Sequence, residues 1–277
     1  MITRFAPSPT GWLHLGHAFS AITAHDRARA AGGRFLLRIE DTDRTRCRPD
    51  YEGAIHDDLG WLGLTWDGPV LRQSEDPTPY EDALTRLAGL GLTYPCRCTR
   101  GDIAAALSAP QEGVPLPGPY PGTCRDRLMT DRRPGDAIRL NLDRALSSLA
   151  TPLPVFRETG LARAGVHQPD PARLAATHGD VVLARRDVGP AYHLTVVVDD
   201  ARQKITEVTR GEDLFDATEL HVLLQSLLGV PTPAYHHHRL IRDAAGRRLA
   251  KRDDARSLRH LRAEGATPQT IRALVFP

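Results

Sequence analysis

Two histidines, His14 and His17, flank Leu15-Gly16 in a loop that Pro7, Pro9 and Gly11 keep out of any strand or helix. Paired imidazoles can donate hydrogen bonds to a phosphoryl group as its charge grows during reaction. Gly16 between them leaves room for a base or ribose against the backbone. Far along the chain stands Lys251, in Leu249-Ala250-Lys251-Arg252-Asp253, after a turn over residues 243–246. A lysine on such a loop can swing onto phosphates and follow them as they leave. A second set of charges suits a small zwitterion. Arg4 and Arg210 offer planar forks for carboxylates, and Glu40 offers an anion for an ammonium. Unpaired charge is expensive to bury, so such a ligand calls for each partner. The third chemical group is the cysteines. Cys96, Cys98 and Cys124 fall in one short segment and supply three of the four ligands that a closed zinc site needs. Histidine is absent between Thr99 and Arg125, so the chemistry leaves the fourth ligand open. Cys47, between two arginines, stands apart.

The elements around these residues are legible in outline. Ile2 to Ala6 reads as a strand, the apolar and alanine-rich positions from His17 to Ala28 as a helix closed by Gly32-Gly33, and Phe35 to Ile39 as a second, buried strand. Strand, loop, helix, strand is a βαβ unit, which predicts an α/β fold with a parallel sheet and ligands at the carboxyl ends of its strands. Glu40 stands at one such end. Helices are expected over Tyr51 to Leu62, Pro79 to Leu90 and Thr218 to Leu228, the last amphipathic. Strands are expected over Ala137 to Leu142, Val181 to Ala184 and Ile205 to Thr209. Leu194 to Val198 is apolar, and periodicity does not separate strand from helix there. Residues 157–171 read as loop. Thr267-Pro268 caps and starts a last helix. Asp41 and Asp43 have the character of turn caps. On a strand, His236 and His238 would share one face and His237 the other.

The chain has 277 residues, 41% of them hydrophobic, enough for a sizeable core. Its formal charge is +2, so no strong electrostatic preference for a partner shows in the balance. Lys204 and Lys251 are its only lysines; every other basic residue of that pair is arginine. No apolar run of membrane-spanning length occurs, and residues 1–5 lack the layout of a signal peptide. A cytoplasmic monomer without membrane contact is expected. A Gly-x4-Gly-Lys phosphate loop and a G-x-G-x-x-G fingerprint at the first helix are both absent.

His14-Leu15-Gly16-His17 resembles the first signature of class I aminoacyl-tRNA synthetases, and Leu249-Ala250-Lys251-Arg252-Asp253 is similar to their mobile lysine loop, with Ala250 where serine is usual. Arg4-Phe5-Ala6-Pro7-Ser8-Pro9-Thr10-Gly11, Leu37-Arg38-Ile39-Glu40-Asp41-Thr42-Asp43 and Val208-Thr209-Arg210-Gly211-Glu212-Asp213-Leu214 resemble the glutamyl branch. The resemblance covers nearly the whole chain. It implies a Rossmann-type catalytic domain with a small zinc-bearing insertion and a short C-terminal helical stem-contact segment. It also implies a glutamate pocket of Arg4, Phe5, Ala6, Pro7, Ser8, Glu40, Tyr192 and Arg210, and an ATP site of His14, Gly16, His17 and Lys251, with His14, His17 and Lys251 catalytic and Mg²⁺ arriving with ATP. Cys-x-Cys followed by Tyr-x3-Cys is similar to the short zinc-bearing paralogues of glutamyl-tRNA synthetase. That similarity implies one structural Zn²⁺ on Cys96, Cys98, Tyr120 and Cys124.

The expected division is 1–95 for the first half of the catalytic domain, 96–175 for the insertion, 176–235 for the second half, and 236–277 for the lysine loop and a truncated helical segment. Full glutamyl-tRNA synthetases continue into a helical anticodon-binding region, whereas this sequence ends one or two helices after the lysine loop. The layout resembles paralogues that form glutamyl-adenylate without tRNA and esterify the queuosine base in the anticodon of tRNA(Asp). The expected partners are therefore that anticodon stem-loop, glutamate and ATP. Two other readings use the same residues: a minimal synthetase charging a tRNA 3′ end, and a non-catalytic RNA-binding paralogue.

Overall fold

The computed structural model describes residues 1–103, 119–149, 152–186, 189–241 and 257–276. Strand β1 (Ile2–Phe5) leads through the proline loop to helix α1 (Leu15–Ala30), and β2 (Arg34–Ile39) follows. The helix begins two residues before the expected start because the His14 imidazole caps it, a role that Ser, Thr, Asp or Asn usually fills. Next come α2 (Pro49–Trp61), the two-residue β3 (Leu71–Arg72), α3 (Thr78–Gly89) and β4 (Thr93–Cys96). Proline sits in the first turn of α2 and α3, where its missing N–H has no helical partner to lose. Strand β5 (Ala137–Leu140) and α4 (Leu142–Ser147) precede β6 (Phe156–Glu158), β7 (Gly165–His167), α5 (Pro171–Thr177), β8 (Val182–Arg185) and β9 (Gly189–Pro190). The chain continues through α6 (Tyr192–Arg202), β10 (Glu207–Gly211), α7 (Ala217–Leu228), β11 (Ala234–His238), α8 (Leu258–Ala263) and α9 (Pro268–Val275).

The parallel layer has two parts. One runs β1-β2-β3, with Phe5 opposite Leu37 and Ile39 opposite Arg72. The other runs β10-β11-β6, parallel throughout, with β7 added antiparallel at the edge. The parts meet where the Thr206 N–H donates to the Ile2 carbonyl at 2.9 Å. Strands β1 and β10 thus lie side by side, and the chain leaves them in opposite directions across the sheet. That is a switch point, where loops diverge and open a crevice at the carboxyl ends. Residues 157–171, read as loop, contribute β6 and β7 instead. Each is three residues long and largely polar, so neither shows a strand's period. A separate antiparallel sheet, β4-β5-β8-β9, carries the cysteines at the end of β4.

Side-chain alternation along β2 sorts the core. Phe35, Leu37 and Ile39 are fully buried with Ile22 of α1, Ile55 and Leu59 of α2 and Ile271 of α9. Each such side chain contributes about 1.5–3 kcal/mol by leaving water. Leu36 and Arg38 face the other side, and Arg38 is fully buried there. The ambiguous run Leu194 to Val198 belongs to α6, which buries Asp199 and Asp200 at its far end. Helix α7, expected to be amphipathic, is buried over every residue but Ser226. It is buried nearly all round because α3 and α6 cover the side turned away from β10 and β11. Among the described residues no helix is long and apolar enough to cross a membrane.

Two glycines give opposite expectations. A Cβ on Gly33, at the turn into β2, would stand 2.0 Å from the Met1 carbonyl oxygen, whereas one on Gly53 in α2 meets nothing within 4 Å. Urea denaturation should show Gly33→Ala destabilised by about 1–3 kcal/mol. Gly53→Ala should gain up to about 1 kcal/mol.

Candidate active site

The crevice at the ends of β1, β2 and β10 is an open cavity of about 620 Å³. Arg4, Phe5, Ala6, Pro7 and Ser8 line it from β1 and the loop beyond. His14, Gly16 and His17 line it from the start of α1, and Glu40, Tyr192 and Arg210 from the ends of β2, the start of α6 and the end of β10. Residues drawn from four separate parts of the sequence therefore share one wall. Lys251 lies outside the described residues. The residues that flank its segment do not: Ile241 lines the cavity, and Ser257 bridges to His14 while the Leu258 N–H donates to the Leu13 carbonyl at 2.7 Å.

The two imidazoles form a reciprocal cap. His14 Nδ1 accepts from the Gly16 N–H at 3.1 Å, and His17 Nδ1 accepts from the His14 N–H at 3.2 Å. With Nδ1 accepting, the proton of each neutral ring sits on Nε2. The ring centroids are 3.9 Å apart. The first helical N–H groups, which a phosphate would be expected to meet directly, are taken: His17 and Ala18 both donate to the His14 carbonyl. The loop thus exchanges bare helix N–H groups for two aligned imidazoles.

Charge is arranged in two different ways. Arg4 grips Asp200 with Nε at 2.8 Å and Nη2 at 3.2 Å, and its Nη1 donates to the Thr209 carbonyl. Arg38 reaches the same Asp200 at 2.7 Å and Glu40 at 3.2 Å. Burial alone would raise the Asp200 carboxyl, but Arg4 and Arg38 hold it below the ordinary aspartate range. Glu40 keeps 11% of its side chain exposed, and burial pushes its carboxyl above the ordinary glutamate range against the pull of Arg38 and Arg4. Arg210 differs. Its Nε donates to His237 Nε2 at 3.0 Å, Nη1 to His221 Nδ1 at 3.0 Å and Nη2 to Thr218 Oγ1 at 2.8 Å. All of these are neutral acceptors. His237 in turn donates from Nδ1 to Glu158 at 2.5 Å, and burial keeps both His237 and His221 below the usual histidine range, hence uncharged at neutral pH. Arg210 is 5% exposed, and among the described residues no carboxylate touches it.

Asp200, Arg38, Thr218, His221, His237 and Glu158 escaped attention as site residues. One signal for Asp200 was available, an acid pair closing an apolar run, and another for Arg38, a lone charge between Leu37 and Ile39. The rest needed the fold. Asp43 serves a local turn, accepting from Thr45 and Arg46, whereas Asp41 makes a long-range tie instead, accepting from the Ser74 N–H and hydroxyl.

In the second sheet, the Sγ atoms of Cys96, Cys98 and Cys124 all lie within 4.8 Å of one another, the one such cluster among the described residues. The Tyr120 hydroxyl stands 3.4 Å from Cys96 Sγ and 3.3 Å from Cys98 Sγ. Burial opposes ionisation of Cys124, yet backbone and side-chain hydrogen bonds bring its thiol down to about 7. Three thiols and a phenol converging on one point have the donor number of a closed tetrahedral zinc site, and the thiols are of its usual ligand type. Cys47 stands elsewhere, its N–H bonded to the Asp43 carbonyl.

The model of the catalytic domain of class I tRNA synthetases for glutamate and glutamine matches residues 1–276. The chain is 61% identical to the glutamyl-Q tRNA(Asp) synthetase of Rhodobacter capsulatus over 99% of both chains, and 44% identical to that of Nocardia farcinica over 98% of this chain and 82% of the relative. Among solved structures it is similar to the glutamate-tRNA synthetase of Elizabethkingia anophelis, at a TM-score of 0.79 and 28% identity. All of this chain is matched there, and it spans 61% of that synthetase's length.

Asp200→Asn should be destabilised by about 3–5 kcal/mol at neutral pH, since two buried guanidiniums lose their shared anion. Because the folded-state pKa of Asp200 is depressed, its contribution is present above the unfolded value of 3.8 and lost as pH falls through the folded one. Urea denaturation across a pH series should therefore show wild type and variant converging in acid.

Proposed function

Since the chain belongs to the class I tRNA synthetases for glutamate and glutamine, we propose that it activates glutamate with ATP and transfers it to the queuosine base in the anticodon of tRNA(Asp). The observation that carries the glutamate reading is Arg210, a buried cation whose direct partners are all neutral, facing a cavity also lined by Glu40. A buried guanidinium without a carboxylate against it calls for an anionic ligand. Glu40 suits the ligand's ammonium. The carboxylate that reacts surrenders its charge when it becomes an anhydride, so a fixed cation gripping it would oppose the reaction. Arg210 therefore holds the side-chain carboxylate. Arg4, already matched to Asp200, supports the wall and tempers the field at the α-carboxylate. Tyr192, kept as a neutral phenol by burial, closes the pocket beside Glu40 and Arg210.

In the first step an oxygen of the α-carboxylate attacks the α-phosphorus of ATP. A C–O–P anhydride forms, the bond to the β-phosphate oxygen breaks, and pyrophosphate leaves with the bond's electrons. His14 and His17, with protons on Nε2, donate to the phosphate oxygens where charge accumulates, and Lys251 follows the departing phosphates. Mg²⁺ enters with ATP. In the second step a hydroxyl of the acceptor attacks the activated carbonyl, an ester forms, and AMP leaves. The name shared by the Rhodobacter and Nocardia relatives supports queuosine as that acceptor. Cys96, Cys98, Tyr120 and Cys124 would hold one structural zinc ion, which would tie the segment after β4 to that strand. The ranges 1–95, 96–175, 176–235 and 236–277 are the proposed division of the chain, with the qualification that β8 and β9 pair into the sheet of the insertion and β6 into the parallel layer.

Glutamate-dependent ATP–pyrophosphate exchange tests the activation step. Arg210→Ala and Lys251→Ala should each reduce it by about 10²-fold or more, and near-normal exchange in both would reject the assigned roles. Nuclease mapping of labelled glutamate tests the acceptor: label in the anticodon fragment supports queuosine, and label on the terminal adenosine refutes it. Metal analysis should find one zinc per chain, lost in Cys98→Ser together with a lowered melting temperature. Full metal content in that variant would refute the ligand set.

A further inference from the structure

Arg210 offers five N–H hydrogens, and three are committed: one to His237 Nε2, one to His221 Nδ1 and one to Thr218 Oγ1. One hydrogen remains on each terminal nitrogen. A guanidinium cannot accept, so it fixes the direction of every bond around it. His221 Nδ1 must accept, its proton must sit on Nε2, and that proton is donated to His193 Nδ1 at 3.1 Å. His237 must likewise accept at Nε2 and donate from Nδ1 to Glu158. His221 is 2% exposed and Thr218 fully buried, so water does not substitute for either. The acceptors of His221, His237 and Thr218 are thereby taken up by Arg210, which keeps one N–H on each terminal nitrogen for a ligand.

We propose that His221 is a specificity-determining positioning residue, which by accepting from Arg210 holds the guanidinium where its two remaining hydrogens meet the two oxygens of a carboxylate. The inference rests on the reading of Arg210 as the clamp for the side-chain carboxylate. Its chemistry is a difference between two isosteric ligands. A glutamate side chain accepts both hydrogens at once. A glutamine side chain accepts one and turns its –NH₂ towards the other N–H of the guanidinium, donor against donor, which is the kind of mismatch that buried polar sites reject most strongly. Without His221, one Arg210 hydrogen loses its partner and the guanidinium is held at two points instead of three. The two-point grip that favours glutamate is then lost. Burial keeps His221 and His193 neutral, His193 at about 4, so this arrangement holds throughout the neutral range.

The test is amino-acid-dependent ATP–pyrophosphate exchange with glutamate and with glutamine, read as kcat and KM for each, on wild type, His221→Leu, His221→Asn and Thr218→Val. The asparagine amide oxygen can stand in for Nδ1 as acceptor, while leucine offers none. His221→Leu and Thr218→Val should lower the glutamate-over-glutamine ratio of kcat/KM by about tenfold or more, mainly through a higher KM for glutamate, since the clamp is remote from the reacting bond. His221→Asn should stay within about threefold of wild type. A merely structural role for His221 would move folding and kcat, and would not separate asparagine from leucine in this ratio. If His221→Leu does not fold, Thr218→Val and His221→Asn decide. Unchanged selectivity in the acceptor-free variants, or an equal loss in His221→Asn and His221→Leu, overturns the inference alone. Absence of glutamate-dependent exchange in the wild type overturns the functional reading and this inference with it.

Discussion

A buried positive charge must be answered, and the way each of three arginines is answered organises this molecule. Arg4 and Arg38 come from adjacent parallel strands and converge on one carboxylate, Asp200, with Glu40 as a second anion. Those charges are settled inside the protein. Arg210, on the neighbouring strand β10, is surrounded by two imidazoles and a hydroxyl instead. Neutral acceptors satisfy its hydrogen-bonding geometry without satisfying its charge. The pocket thus has rigid walls and a residual positive field in one place, which is the arrangement a small anionic ligand requires.

Helix α6 ties this charge pattern to the rest of the fold. It begins at Tyr192, in the cavity, just after β9 closes the antiparallel sheet that carries the cysteines. It ends with Asp199 and Asp200, which fasten it to elements of the first half of the chain: Asp199 to Gln73 and Tyr80, and Asp200 to Arg4 and Arg38. The C-terminal helices add a second tie. Leu258 pairs with the backbone of the His14 loop, and Arg272 on α9 bonds Asp26 on α1 at 2.7 Å.

What the sequence made legible follows from how local each signal was. The βαβ unit, the proline-led helices and the last helix with its Thr267 cap are written in adjacent residues, and the structure has them with shifts of a few positions. The pocket residues were readable because motif and chemistry agreed at Arg4, Glu40 and Arg210, and all three do line one cavity. The missing parts are non-local. Strands β6 and β7 are too short to show a period; β6 exists by pairing with β11, and β7 by pairing with β6. The run from Leu194 to Val198 is helix because α3 and α7 offer it an apolar slot, a fact of packing that periodicity does not contain. The imidazole cap on α1 was hidden because histidine seldom does that work.

The three consecutive histidines show the same distinction at the scale of one strand. Their composition suggests metal, yet alternation on β11 sends them to different neighbours. His236 bonds Thr159 on the side where Arg27 of α1 lies, and His238 packs its ring 4.8 Å from Phe19 of α1. His237 turns to the opposite face, towards Thr218 of α7, where Arg210 and Glu158 claim its two nitrogens. With both of its nitrogens claimed, His237 offers nothing to an ion. Strand geometry separates the outer pair from the middle residue, and the charge on Arg210 then dictates which nitrogen of that middle residue carries its proton. A run that looks like a ligand cluster in one dimension is, in three, one contributor to the pocket's charge balance and two packing residues on the α1 face.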